Sequence, residues 1–239
     1  MKKYVLKRLI YALITIFVLL ALTFVMMHML PGDPFNTGKA MSESTKQALR
    51  EFYGLDKPLV EQFIMYVKNA CIGDLGVSIK YNRPVMDIII DTFPVSFQLG
   101  MFSLIFAVIA GVALGAIAAI RRGKAADTIA MTLSVIGVSI PSFIVAALLQ
   151  YFIALKLNQL LGTQIFAITG WGNLNQIILP ALALSFSSLA TVSRLMRTSM
   201  LDVLSSDYIK TAKAKGLSER QILWKHALRN AIMPVITVL

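Results

Sequence analysis

Four long stretches of this sequence contain no Asp, Glu, Lys or Arg, and they limit the folds that the chain can adopt. They are residues 9–32, 92–120, 128–155 and 157–193. A helix rises about 1.5 Å per residue, so roughly 20 apolar residues cross a hydrocarbon core of about 30 Å. Each stretch is long enough to span a bilayer, although the first half of the fourth is too polar to lie in lipid. We therefore predict an all-α polytopic membrane protein.

The composition agrees with lipid as the solvent. Hydrophobic residues make up 57% of the 239 residues and charged residues 15%, whereas a soluble domain has about 45–50% and about 25%. The first apolar stretch is longer than the roughly 7–15 residues of a signal-peptide core, and no small-x-small cleavage site follows it. It is therefore predicted to be an uncleaved first span.

The net charge of +11 is distributed unevenly. Fifteen of the 23 basic residues but only four of the 12 acidic ones lie at the N-terminus, in 121–127 and in 194–229. Segment 31–94 carries seven basic and eight acidic residues. Short loops rich in Lys and Arg remain cytoplasmic. The charge therefore predicts a cytoplasmic N-terminus, with 31–94 and 156–175 outside, and we interpret it as a topology signal rather than as a nucleic-acid surface.

These boundaries predict three parts. They are a cytoplasmic tip with span one (1–30), an extracytoplasmic subdomain (31–94) and a core transmembrane domain (95–239). Because no membrane helix ends in mid-bilayer, we expect the apolar run that reaches Leu239 to be part of a fifth span and further spans to follow. The predicted core spans are about 95–120, 128–155, 176–196 and 230–239 (partial).

The external subdomain has two amphipathic segments, at about 42–53 and 58–70, and Ser44 is a possible N-cap for the first. Its Cys71 is the single cysteine of the chain, which excludes an internal disulfide, and no Cys/His cluster suggests a metal site.

Two features of the core spans concern helix packing. Gly111 and Gly115 have the spacing that lets another helix approach closely, or they reflect the ordinary glycine content of membrane helices. Pro141 lies inside the third span and predicts a kink packed against protein, because the carbonyl that it frees needs a partner.

The sequence after the fourth span predicts a helix, a sharp turn and a second helix. Ser205 or Ser206 can cap a helix over 207–215, and Gly216 suits a left-handed stop. The second helix begins with a capping box, since Gln221 follows three residues after Ser218, and with a hydrophobic staple from Leu217 to Ile222. From these residues alone, 198–229 is either a helix pair on anionic headgroups or a knob that docks into a cytoplasmic partner.

The motif Tyr208-Ile-Lys-Thr-Ala-x-Ala-Lys-Gly216 resembles the EAA-type cytoplasmic loop of bacterial ABC importer permeases. Lys210-Thr211-Ala212 stands at the Glu-Ala-Ala positions, and Leu228-Arg229 replaces the closing Leu-Pro. These departures resemble the oligopeptide, dipeptide and nickel permease group, above all the first permease subunit of peptide importers. Further matching motifs follow in order along the chain: Leu30-Pro-Gly-Asp-Pro34, Gly73-Asp-Leu-Gly-x-Ser78, Arg83-Pro-Val85, Thr92-x-Pro-x-Ser-x-x-Leu-Gly100, Ser139-Ile-Pro-Ser-Phe143 and Leu179-Pro-Ala-Leu182.

The resemblance implies a type I ABC importer permease fold with one extra N-terminal helix, in the bacterial plasma membrane. It implies a second homologous permease, two cytoplasmic ATPases and an extracytoplasmic solute-binding protein as partners. The cargo would be peptides, with nickel or glutathione as alternatives in the same group. The residues that it implies for coupling to the ATPase are Tyr208, Lys210, Thr211, Ala212, Lys215, Gly216 and Leu217.

We predict no catalytic residue and no bound cofactor in this chain. The sequence lacks a phosphate-binding Gly-x-x-x-x-Gly-Lys-Ser/Thr motif, so ATP is expected to be hydrolysed by the partner subunits. Polar groups inside the spans either line a substrate path or bond neighbouring helices. The charge-free spans oppose an ion-coupled secondary transporter, which usually keeps an ionisable residue near the midplane. The candidate path residues are Gln98, Gln150 and Ser139, with Ser103, Ser134 and His28 as further polar groups.

Overall fold

The computed structural model describes residues 2–32, 43–78 and 80–238, and it divides into two compact units, Met1–Phe93 and Pro94–Leu239. The described part is predominantly helical, as the sequence predicts. Asp33 and Pro34 of the first turn motif lie outside the described residues, as do Ser42 and Ile79.

Before Val85, the described residues of the first unit form three helices and a short β-hairpin. The helices are α1 (Lys2–Met29), α2 (Glu43–Phe52) and α3 (Leu59–Cys71), and the antiparallel strands are β1 (Val77–Ser78) and β2 (Arg83–Pro84). The two predicted amphipathic segments correspond to α2 and α3. Ser44 lies in the first turn of α2 rather than before it, so the predicted N-cap position is wrong.

Aromatic contacts join α1 to α3 within this unit. The rings of Phe24 and Phe63 have centroids 5.3 Å apart, and Phe17 meets Phe63 edge-on at 5.8 Å. The Nε2 atom of His28 lies 3.0 Å from Oε1 of Gln62, whose amide group donates to the Leu55 and Lys57 carbonyls. His28 therefore belongs to the contact between these helices.

The second unit begins within α4 (Val85–Ile120), a single helix that continues through Pro94. The sequence predicts that the second span begins at about residue 95, whereas the helix begins at Val85. The residues before 95 extend it because they are mostly apolar and contain no turn signal apart from the proline.

The third apolar stretch is interrupted at Pro141. Helix α5 (Ala125–Ser139) ends there, Ile140 adopts an extended backbone with ψ of 123°, and α6 (Ser142–Leu149) begins immediately afterwards. The predicted kink is thus a break between two helices. Wide π-helical turns (Gln150–Leu157) then lead into α7 (Asn158–Leu161), which Gly162 ends at a φ of +65°.

The loop after Gly162 is held by one asparagine. Asn158 Nδ2 donates to the Phe166 carbonyl at 2.6 Å, and the amide groups of Ile165 and Phe166 donate to Asn158 Oδ1. The loop then enters α8 (Leu174–Ser205) through a capping box between Asn173 and Gln176. The fourth charge-free stretch is therefore longer than one span because it contains this loop as well as most of the apolar part of α8.

Helices α4 and α8 pack closely because glycines remove the side chains between them. A Cβ atom placed on Gly115 would lie 2.7 Å from Met196 Cβ, and one on Gly111 would lie 2.8 Å from Val192 Cγ1. Both distances are far below van der Waals contact. The predicted close approach at Gly111 and Gly115 is confirmed, and its partner is α8.

Four helices of the described residues are long and apolar enough to cross a membrane: Lys3–Met29, Val85–Ile120, Ser142–Leu161 and Leu174–Ser205. The fourth continues past residue 196, where we expected the span to end. The first residues assigned to the following loop are therefore the last turns of α8.

Candidate partner-docking hairpin

After α8, the chain forms the helix, turn and helix that the sequence predicts. Helix α9 (Asp207–Ala214) is followed by a tight turn, then by α10 (Glu219–Gln221), π-helical turns (Ile222–Ala227) and α11 (Leu228–Ala231), and α12 (Met233–Val238) continues from there. We refer to residues 206–231 as the 206–231 hairpin.

The start of α9 differs from the prediction in one hydrogen bond. Ser206 occupies the N-cap position with an extended backbone, but its hydroxyl donates to the Val203 carbonyl at 2.6 Å and caps no α9 amide. Ser205 likewise bonds back to Asp202. Both hydroxyls thus bond to the end of α8, because the chain turns into α9 without an intervening loop.

A Schellman motif forms the turn at the tip. The Leu217 amide donates to the Ala212 carbonyl at 3.3 Å, and the Gly216 amide donates to the Lys213 carbonyl at 2.9 Å. This pattern needs a left-handed residue between the two helices, and Gly216 supplies it with a φ of +77°. A Cβ atom on Gly216 would meet nothing within 4 Å. The tip is therefore bare backbone that is open to a partner.

The second helix begins with the predicted capping box. Ser218 Oγ accepts a hydrogen bond from the Gln221 amide at 3.4 Å, and Gln221 Oε1 accepts one from the Ser218 amide at 3.2 Å. Leu217 packs against the buried cluster that includes Ile222, as the predicted staple requires. These contacts fix the direction in which the chain leaves the turn.

One buried cluster joins the 206–231 hairpin to the end of α8. Ile209 and Ala212 of α9 are 0% and 6% exposed, and they share this cluster with Met196 and Met200 of α8. The second helix of the hairpin contributes Ile222 and Ala227, which are both buried. They are five residues apart and still lie on the same side of the helix, because the turns between them are π-helical. The remaining buried members of the cluster are Ala119, Val192, Ala231 and Val235.

The residues predicted to contact an ATPase divide into two groups. Ala212 is buried and Leu217 half-buried, and both support the turn from inside. The exposed group forms the outer side of the hairpin: Tyr208, Lys210, Thr211, Lys215 and Gly216.

Two polar contacts order this exposed side. Asn230 Nδ2 donates to the Tyr208 hydroxyl at 2.9 Å and so links α9 to α11. Lys210 pairs with Asp207 at 2.8 Å, an exposed contact that contributes little to stability. The Lys210 ammonium group can therefore exchange Asp207 for another anionic partner at small cost.

An ion pair with a buried carboxylate lies just outside the hairpin and is not predicted from the sequence. Arg197 of α8 binds Asp127 at the start of α5 with two hydrogen bonds, from Nε to Oδ1 at 2.6 Å and from Nη2 to Oδ2 at 2.7 Å. The Gly123 amide donates to the same carboxylate at 3.0 Å, and Asp127 is 5% exposed. The detectable signal was a lone acid beside the basic residues of 121–124, followed by the charge-free stretch 128–155.

The hydrogen bonds from Arg197, with a smaller contribution from the Gly123 amide, lower the pKa of Asp127 to about 2. Asp127 lies in the first turn of α5, between the basic residues of 121–124 and the charge-free stretch 128–155. The carboxylate is therefore ionised at neutral pH, and it joins α5 to α8 as an ion pair.

The three candidate path residues lie on three different helical segments, and each has its own surroundings. Gln98 is exposed on α4, whereas the Ser139 hydroxyl donates to the Val135 carbonyl of its own helix at 2.8 Å. Gln150 donates to the Ile168 carbonyl at 2.9 Å and lines a cavity of about 200 Å³ beside the loop 162–173. Both Ser139 and Gln150 thus have structural partners within the chain.

Comparison with known proteins matches the whole chain to transport components. Residues 111–239 match the family described as binding-protein-dependent transport system inner membrane component, and residues 1–100 match its N-terminal family. The dipeptide transport system permease protein of Bacillus subtilis (strain 168) is 46% identical over 242 residues, covering 100% of this chain and 76% of that protein.

Two further relatives are named for other transported solutes. The oligopeptide transport system permease protein of Haemophilus influenzae is 41% identical, and the glutathione transport system permease protein of Escherichia coli O6:H1 is 40% identical. Each match covers 100% of this chain and 77% of the relative. With its apolar helices and its hairpin, the chain belongs to the family of inner membrane components of binding-protein-dependent transport systems, the permeases of ABC importers.

Proposed function

We propose that this chain is a permease subunit of an ATP-driven peptide importer and that the 206–231 hairpin is its docking element for a cytoplasmic ATPase. One observation carries the proposal: a bare left-handed turn at Gly216 stands at the tip of a hairpin whose buried side is continuous with α8. Such an element presents a surface outward while it remains fixed to a membrane-spanning helix. A helix pair lying on lipid would need no exposed backbone at its tip.

The hairpin is built to transmit movement as a rigid body. Ile209 and Met200 are both almost completely buried in the cluster shared with α8, and close-packed interiors deform little. Closure of two ATPases around nucleotide would therefore tilt α8 instead of bending the hairpin. Because the chain carries no phosphate-binding motif, the ATP is bound and hydrolysed by these partners.

Peptides are the proposed cargo. The relatives named for dipeptides and oligopeptides are 46% and 41% identical to the chain. Glutathione is a second candidate, because a glutathione permease is 40% identical and glutathione is itself a tripeptide. A solute-binding protein on the outer side would select among these peptides, and a second homologous permease would complete the path.

Reconstitution in proteoliposomes tests the function. The purified complex of this chain with its second permease and two ATPases, supplied with the binding protein, should take up labelled dipeptides and oligopeptides only when ATP is enclosed with the ATPases. Competition by glutathione measures the second candidate. Peptide uptake that follows an imposed proton or sodium gradient without ATP would contradict the proposal and favour a secondary transporter.

A further inference from the structure

The Asp127–Arg197 ion pair stands where three structural connections meet. On α8, Arg197 follows Met196 and precedes Met200 by one turn, and both methionines are buried in the cluster that holds the 206–231 hairpin. On the other side of the pair, Asp127 belongs to the first turn of α5 and accepts the Gly123 amide of the turn after α4. Arg197 thus joins the base of the hairpin to the start of α5.

The residues of α5 that face α8 are small, so their packing does not fix the axial position of one helix relative to the other. At Gly137 of α5, a Cβ atom would lie 3.2 Å from the Phe186 carbonyl oxygen, so backbone approaches backbone there. Ala130 and Ser134, on the same side of α5, are 2% and 1% exposed. Small side chains allow the two helices to approach closely. They do not interdigitate deeply, so they offer little resistance to sliding of α5 along α8.

The ion pair supplies the missing directional contact. A guanidinium group that binds both oxygens of a carboxylate has one favourable geometry, since two parallel hydrogen bonds must keep their lengths together. The two distances, 2.6 and 2.7 Å, are those of charge-assisted bonds. The carboxylate is also shielded from water, since Asp127 is only 5% exposed, whereas the Arg197 side chain is 25% exposed.

We propose that Asp127 and Arg197 are positioning residues for transport: they tie α5 to the hairpin-bearing end of α8, so that ATP-driven movement of the 206–231 hairpin moves α5 with it. This inference rests on the proposed function. Neither residue contacts cargo or nucleotide in this role. Without the ion pair, α8 still moves with the ATPase, but α5 no longer moves with α8. ATP hydrolysis then continues, and fewer peptides are transported for each ATP.

The test is the number of peptides taken up per ATP hydrolysed, measured with the reconstituted complex. Asp127→Asn keeps the shape of the side chain but removes the charge, and it should lower this ratio at least about tenfold, as expected for loss of a charged buried hydrogen bond. Arg197→Lys keeps the charge but loses the two-pronged geometry and should give an intermediate ratio. The double variant Asp127→Arg with Arg197→Asp should recover part of the ratio.

The matched control is Asp91→Asn, which removes the exposed Arg83–Asp91 pair, also 2.6 Å long, and should leave the ratio unchanged. A purely structural role for the buried pair would reduce the amount of folded complex, and uptake and hydrolysis would fall together at a constant ratio. That result would overturn the inference. If Asp127→Asn does not assemble, Arg197→Lys decides, and a wild-type ratio in that variant contradicts the proposal.

Failure of the two proposals gives different results. A wild-type complex without ATP-dependent uptake overturns the proposed function and this inference with it. A wild-type complex that transports, together with an Asp127→Asn complex of normal ratio, overturns only the role of the ion pair.

Discussion

Gly216 is the residue whose backbone conformation matters most to the proposed docking, and its role can be separated from that of a simple helix stop. Valine at a φ of +77° is strained by roughly 1–2 kcal/mol and adds bulk to a tip that is open. If the tip inserts into an ATPase groove, Gly216→Val should lower uptake at least about tenfold, the effect of losing more than about 1.4 kcal/mol at an interface. ATP hydrolysis and membrane insertion should persist.

Gly162→Val is the matched control for this prediction. Gly162 also ends a helix at a positive φ, +65°, and a Cβ atom there would meet nothing within 4 Å, but it precedes a loop that the charge distribution predicts to lie outside. Both substitutions carry similar backbone strain, so only docking distinguishes them. Gly216→Asn gives a second comparison, because asparagine tolerates left-handed backbone. Normal uptake in Gly216→Asn would mean that Gly216 acts only as a helix stop.

At the scale of helices, the approach of α4 to α8 depends on the absence of a side chain at Gly115. A Cβ atom there would overlap the Ser193 carbonyl oxygen as well as Met196 Cβ. Gly115→Leu should therefore force α4 away from α8 and destabilise the protein by about 1–3 kcal/mol, the usual cost of overpacking. A lower melting temperature of the purified protein in detergent measures this effect.

Gly100→Leu tests whether the loss reflects packing or merely a larger residue in a membrane helix. Gly100 lies on the same helix, α4, but a Cβ atom there would meet nothing within 4 Å. Its leucine variant should melt close to the wild-type temperature. Equal losses in the two variants would contradict the close-packing argument.

The same contacts explain why some elements were predictable and others were not. Local signals specify the Schellman turn and the Ser218–Gln221 capping box, since every participating residue lies within a few positions in sequence. The ion pair between Asp127 and Arg197 joins residues that are 70 positions apart in the sequence, so no local pattern specifies it. The π-helical turns at Ile222–Ala227 are also not specified locally. Both end residues of that segment are buried in the cluster shared with α8, which is a tertiary contact.

The hydroxyl of Ser206 illustrates the limit of a local argument. Serine before a helix predicts a cap, and Ser206 does occupy that position. Its hydroxyl bonds to Val203 because α8 ends directly before it, and the Val203 carbonyl accepts both the amide and the hydroxyl of Ser206. A sequence pattern predicts the position of a boundary better than it predicts which of two adjoining helices uses the side chain.

At the scale of the whole molecule, the proposed mechanism requires one particular topology. Helix α5 has 15 residues, about 22 Å at the rise of an α-helix, which is less than the hydrocarbon core of about 30 Å. Ser142–Leu161 is long enough to cross by itself, so α5 and the helical segment after the break at Pro141 should contribute a single crossing. Three crossings are then expected between Cys71 and the 206–231 hairpin, and an odd number agrees with the charge distribution, which predicts opposite sides of the membrane for them.

Cysteine labelling in intact cells checks this topology, and the chain provides its own control. Cys71 is the single cysteine and is exposed, and the charge distribution predicts that it faces outward. A membrane-impermeant maleimide should label wild-type Cys71 before permeabilisation. In a Cys71→Ser background, Lys213→Cys on the exposed side of α9 should react only after the membrane is opened. If Lys213→Cys reacts in sealed cells, the hairpin faces outward and cannot meet an ATP-hydrolysing partner, and both the docking proposal and the role of the ion pair are wrong.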